Sequence, residues 1–175
     1  MKDKDIKKNL KYLSGEDFYV FCYSILIVLD YLKCKNGQYF KDYRKIPFLV
    51  DFIKDEKLNY IILNSGDKDL NPIDKEYLFS SYSAGLSRRS EILKLLFTLE
   101  KRKYVFLEKT GKQNIINVSL NEGVIPADFF DKDFFFNEYK NIKNFSLHIK
   151  RLRILTLNTM LERIYEQNGI SIWAI

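Results

Sequence analysis

From Phe18 to Leu29 the chain carries a nearly unbroken apolar run of 12 residues. That is too short for a bilayer span, which takes about 20 residues, and too apolar for a surface helix. Phe21, Ile25, Leu29 and Leu32 recur at helical spacing, while Tyr19, Val20, Ile27 and Val28 fill the remaining sides. A helix that is apolar all round belongs at the centre of a core. Ser14-Gly15-Glu16-Asp17 gives it a start, with Ser14 as the cap and two acids facing the positive helix end. Asn36-Gly37 predicts its end, because both residues tolerate the left-handed conformation. Only 7 Gly and 3 Pro occur among 175 residues, too few for a loop-rich all-β fold, so helix should dominate.

A second helix is expected from Asp42, carrying Ile46, Leu49, Val50 and Ile53 inward, with Pro47 either in its first turn or at a kink. Leu58 to Leu63 reads equally as a buried strand or the end of a helix. Ser65-Gly66-Asp67 and Asn71-Pro72 mark turns, which makes 64–74 a surface loop. From Leu86 to Lys103 the chain lacks Gly and Pro and sets Leu93, Leu96, Phe97 and Leu99 against Ser87, Glu91, Lys94, Thr98 and Lys101, an amphipathic helix. Two β-rich runs, 104–109 and 114–120, follow around Thr110-Gly111-Lys112-Gln113 and predict a hairpin. Beyond Gly123 and Pro126, helices are expected over 128–144 and 146–167.

Helices leading directly into a hairpin have the element order of a winged helix. The fold class expected is therefore mainly α with a small β-hairpin: a winged-helix-like domain plus additional C-terminal helices. The boundaries are a basic N-terminal arm over 1–13, the winged-helix-like core over 14–125 and a C-terminal helical extension over 126–175 packed on that core. Nothing in the first residues resembles a signal peptide, so the expected location is the cytoplasm, with no membrane partner.

The formal net charge of +6 is unevenly spread. Residues 1–11 carry +3, residues 86–103 carry +4 and residues 138–153 carry +4, leaving −5 for the rest of the chain. If the three segments converge they can contact phosphates, each neutralised phosphate adding about 0.9 to the log–log salt slope. The candidate nucleic-acid-binding residues are Arg88, Arg89, Lys94, Lys101, Arg102, Lys112, Lys150, Arg151 and Arg153; the competing reading is solvated helix faces.

Several chemistries are missing from the sequence. Neither G-x-x-x-x-G-K-[ST] nor G-x-G-x-x-G occurs, so no nucleotide-binding loop is recognisable. One histidine, His148, and two cysteines, Cys22 and Cys34, cannot assemble a Cys/His zinc site. Asp128, Asp131 and Asp133 read as helix-start charges rather than metal ligands. No catalytic residue, metal or cofactor is assigned. Phe129, Phe130, Phe134, Phe135 and Phe136 place five phenylalanines in eight positions, which one helix face cannot hold. Core packing and partner contact both remain open for them, and Phe134, Phe135, Phe136, Ile172 and Trp173, with Ile175, form the candidate partner surface.

Three stretches carry a resemblance: Tyr23-Ser24-Ile25-Leu26-Ile27-Val28-Leu29, Asp42-Tyr43-Arg44-Lys45-Ile46-Pro47-Phe48-Leu49-Val50-Asp51-Phe52-Ile53, and Ser83-Ala84-Gly85-Leu86-Ser87-Arg88-Arg89-Ser90-Glu91-Ile92-Leu93. Together with Ser65-Gly66-Asp67, and over roughly 18–120, they resemble the middle component of ABC-three-component systems, bacterial operons that include Lamassu-type anti-phage defence. The resemblance implies a non-enzymatic adaptor that links an SMC-like coiled-coil ATPase to an effector, often a nuclease; the basic segments add non-specific DNA contact to that expectation. The alternative is a stand-alone winged-helix transcriptional regulator. Ser87, Arg88, Glu91, Lys94 and Thr98 would then lie on its recognition helix, with Lys112 on the wing.

Overall fold

Helix α1 (18–31) runs through the middle of the molecule in the computed structural model, which describes residues 18–66 and 68–173. The expected basic arm, the Ser14 cap, Asp67 and Ile175 lie outside the described residues. From Phe21 to Leu29 every residue of α1 except Tyr23 is buried, as an all-round apolar helix requires. Each fully covered side chain such as Ile27 or Leu29 contributes about 1.5–3 kcal/mol. The helix stops earlier than Asn36-Gly37 suggested. Lys33 takes the left-handed conformation (φ 54°), and the Cys34 amide donates back to the Leu29 carbonyl at 2.8 Å, closing the helix end.

Asp42 begins the next element. Its carboxylate accepts from the Arg44 amide at 3.1 Å and caps a short 3-10 turn, Tyr43–Lys45, that flows into α2 (Ile46–Lys54). Pro47 sits in the first turn of α2 and causes no kink. Seven of the nine α2 residues are buried, so α2 is the second central rod. Leu58–Leu63 is helical, within α3 (Glu56–Asn64), because Asp55 caps the Lys57 amide at 2.8 Å and Leu58, Ile61 and Ile62 share one buried face.

The largest departure follows. The expected loop 64–74 is shorter, and Asn71-Pro72 opens a 16-residue helix, α4 (Pro72–Ser87), with Asn71 accepting from the Asp74 amide at 2.8 Å. The expected 86–103 helix therefore loses its first residues to α4. It begins at Arg89 as α5 (Arg89–Lys101), separated from α4 by the non-helical Arg88. Strands β1 (Val105–Lys109) and β2 (Ile116–Leu120) pair antiparallel with Val105 opposite Leu120 and Lys109 opposite Ile116. Phe40 adds a single bridge to Val118 on the other side of β2, with N–O distances of 2.8 and 3.0 Å, so β2 has backbone partners on both edges.

The C-terminal helices are α6 (Phe136–His148) and α7 (Leu157–Ile164), shorter than expected. Asp131 delays α6 by accepting from the Asp133 amide at 2.7 Å, which fixes a turn, and Thr156 restarts the helix as the cap of α7, accepting from the Thr159 amide at 3.2 Å. The result is a mainly helical fold with a two-stranded antiparallel hairpin and extra C-terminal helices. One aromatic cluster joins its parts. Phe52 meets Phe145 at 4.9 Å between centroids, and Tyr165 meets Tyr82 at 5.1 Å and Phe48 at 6.2 Å. Asn59 and Asn141 donate to the Phe52 and Ile53 carbonyls at 2.6 and 2.9 Å, satisfying acceptors that the end of α2 would otherwise bury unpaired.

Candidate functional site

The positive residues divide between structural and exposed roles. Arg88 is a clamp: its guanidinium donates to Asp51 Oδ1 at 2.8 Å and lies 5.5 Å from the Phe21 ring. It is therefore not free to read a ligand, and Ser87 sits on α4 rather than on α5. Arg89 is half-buried and its Nε has no hydrogen-bond partner. Burial first, and then the neighbouring Arg44 charge, pull this guanidinium below its ordinary range. Lys94, Lys101, Arg102, Lys112, Lys150 and Arg151 are exposed, and Arg153 is partly buried with a hydrogen bond to Gln38.

Two of the exposed residues line separate depressions. Arg102 lines a small apolar groove of about 240 Å³ with Phe18, Tyr19, Tyr23 and Phe129. Lys112 lines a separate cleft of about 480 Å³ between the hairpin turn and the segment leading into α7, and the two share no lining residue. The cleft also takes in Lys41, Arg44 and Asn158, with Ile115 and Leu155 among its apolar residues.

Its walls are tied together tightly. The Lys41 amide donates to the Arg153 carbonyl at 2.8 Å, and the Asp42 amide donates to Asn117 Oδ1 at 3.1 Å. Asn117 in turn donates to Glu108 at 2.7 Å. Next in sequence to Arg44, Lys45 is fully buried and its ammonium donates to the Leu152 carbonyl at 2.7 Å and the Arg153 carbonyl at 3.4 Å, 4.2 Å from the Phe40 ring centre. Asp42, the carboxylate that lines the cleft, is gripped at both oxygens by Arg44, at 2.9 and 2.7 Å. Sequence reading missed Lys41 and Arg44. They stand in a Lys41-Asp42-Tyr43-Arg44-Lys45 stretch whose charges are assigned to core and surface only by the turn at Asp42.

The aromatic candidates also separate. Phe134 is 78% exposed and Phe136 is 62% exposed, whereas Phe135 between them is 6% exposed and packs against Tyr23 at 5.5 Å. Ile172 is packed on the core, while Trp173 is mostly exposed, with its amide donating to the Tyr82 hydroxyl at 3.0 Å. Tyr19, Tyr23, Phe129, Phe135 and Phe134 form a chain of neighbouring rings 4.8 to 6.4 Å apart.

His148 is half-covered, and burial pulls its imidazole below the ordinary range. Among the described residues no group of three or more His, Cys, Asp or Glu side chains could hold a metal ion, and no helix is long and apolar enough to cross a membrane. No protein-family model, curated protein or solved structure matches the chain.

Proposed function

We propose that the protein is a non-enzymatic accessory subunit that works in the cytoplasm, holding a protein partner on its aromatic face and approaching DNA, without sequence preference, on its hairpin side. The observation that carries the reading is the run of rings from Tyr19 to Phe134, which puts phenylalanine and tyrosine in solvent beside an apolar groove. Exposed aromatic surface of this kind marks interaction sites and supplies most of the energy of protein interfaces. The resemblance to the middle component of ABC-three-component systems supplies the partners: an SMC-like coiled-coil ATPase and an effector, often a nuclease, to which ATP use and cutting belong. The engagement of Arg88 by Asp51 weighs against the stand-alone regulator, which needs that side chain on a free recognition surface.

Co-expression with an SMC-like ATPase encoded by a neighbouring gene tests the reading. The two should co-elute, and Phe134→Glu with Phe136→Glu should release the subunit while leaving its own melting temperature within a few degrees of wild type. A wild-type chain that never co-elutes with such an ATPase overturns the assignment.

A further inference from the structure

We propose that the cleft between the hairpin turn and the segment leading into α7 holds the phosphodiester backbone of a nucleic acid, with Lys41 and Lys112 as the two jaws. This rests on the DNA-contact part of the reading above and gives that contact a place, away from α5.

Three features of the cleft point to phosphate. First, its charge is not neutralised from within. Asp42 is engaged at both oxygens by Arg44, and among the described residues no carboxylate forms an ion pair with Lys41 or Lys112. Second, the cations come from two elements locked to each other. The Asp42 amide, next to Lys41, donates to Asn117 Oδ1 on β2 at 3.1 Å, while Lys112 rides on the turn of that same hairpin, closed by Thr110, whose amide donates to the Ile115 carbonyl at 3.2 Å and whose hydroxyl donates to it at 2.9 Å. The jaws are thus spaced by the fold rather than by flexible chain, and Asn158 adds an amide to the same wall. Third, basic side chains border the cleft: Arg151 and Arg153 line a neighbouring depression that shares Ile154 with it. An extended polyanion uses such a track, whereas a single small anion fills only the cleft. The cleft holds no aromatic ring, so its contacts are to backbone and not to stacked bases.

A free nucleotide carries the same phosphate group, and the test separates the two sources. Binding of a labelled duplex of arbitrary sequence is measured by anisotropy over a salt series for the full chain, for Lys41→Gln with Lys112→Gln, and for Lys68→Gln with Lys132→Gln. The last pair removes equal charge at exposed lysines outside the basic segments. If each jaw neutralises one phosphate, the cleft variant flattens the log–log salt slope by about 1.8, at ~0.9 per phosphate, while the control variant keeps the wild-type slope. Equal flattening in both variants overturns the proposal, as does a wild-type chain that binds no duplex. Saturable binding of a mononucleotide without duplex binding also overturns it, in favour of a small-ligand site. Co-elution of the cleft variant with the ATPase is scored separately, so that loss of the partner and loss of DNA are told apart.

Discussion

Gly85 faces the ring of Phe48 so closely that a Cβ added to it would stand 2.3 Å from Cδ1 and 2.7 Å from Cε1. Phe48 is fully buried and is held by Tyr82 at 5.9 Å and Tyr165 at 6.2 Å, so it has nowhere to move. In an ordinary helix interior Gly→Ala stabilises by about 0.5–1 kcal/mol. Here Gly85→Ala should destabilise by about 1–3 kcal/mol through overpacking, measured by urea denaturation. A stabilised variant would show that α4 and α2 do not meet this closely.

Asp51 and Arg88 form a partly buried pair at 2.8 Å that ties α2 to the junction of α4 and α5. Asp51→Ala leaves the guanidinium without its anion and should cost about 2 kcal/mol. The expected loss of thermal stability changes little between low and moderate salt, because the pair is shielded from solvent. Arg88→Glu, which a recognition-helix role would make the sharpest DNA-binding variant, is expected to act through stability instead. A folded Arg88→Glu protein of wild-type melting temperature that has lost DNA would reverse this conclusion.

Burial pulls the Lys45 ammonium down to about 7 from its ordinary value of 10.5, with Asp42 and Cys34 acting in the opposite direction. Between these values the unfolded chain binds a proton that the native chain lacks, so stability rises with pH, by at most ~1.4 kcal/mol per pH unit. Above pH 9 the buried thiols reverse the trend, since the unfolded chain loses their protons first. Denaturation at pH 7, 8 and 9 should give wild type a rising stability that Lys45→Met does not share. Parallel curves for the two proteins would count against a desolvated ammonium at this position.

Burial pushes the Cys22 thiol up to about 11 and the Cys34 thiol up to about 12, with nearby basic residues only partly offsetting it. Neither is a ready nucleophile. Intact mass after brief maleimide treatment at neutral pH should show no adduct on native protein and two on denatured protein. Rapid modification of Cys22 alone would mean that the aromatic groove it lines opens widely in solution.

Phe135 and its two neighbours should behave oppositely. Phe135→Ala empties a buried site and is expected to cost about 3–5 kcal/mol, whereas Phe134→Ala and Phe136→Ala should stay within about 0.5 kcal/mol of wild type. Melting temperatures of the three single variants decide the matter, and comparable losses in all three would place the whole run in the core.

What the sequence reveals depends on whether one local signal dominates. Helix α1 is plain because no amphipathic alternative exists for Phe18–Leu29, and the hairpin is plain because its two β-rich runs flank a turn. Helix α4 leaves no such trace. It buries Leu78, Ser81, Tyr82 and Gly85 while exposing Ile73 and Phe79, so its apolar residues do not gather on one face, and the Pro72 that opens it reads locally as a turn. The break at Arg88 is equally silent, because no Gly or Pro marks it. At the cleft, Lys112 was legible from the turn it occupies. Lys41 and Lys45 are four residues apart and alike in type, yet one lies in solvent and the other in the core. That distinction arises only once the carbonyls of Leu152 and Arg153 arrive from 107 and 108 residues away.

The same long-range lysine contact sets how such a gene can be cut and joined. A polypeptide stopped after the hairpin would leave the Lys45 ammonium without its two carbonyl acceptors and the aromatic cluster without Phe145 and Tyr165. The tail is thus not an interchangeable cassette: recombination near residue 125 would separate groups that share one core, so a foreign tail would have to supply the same acceptors and rings.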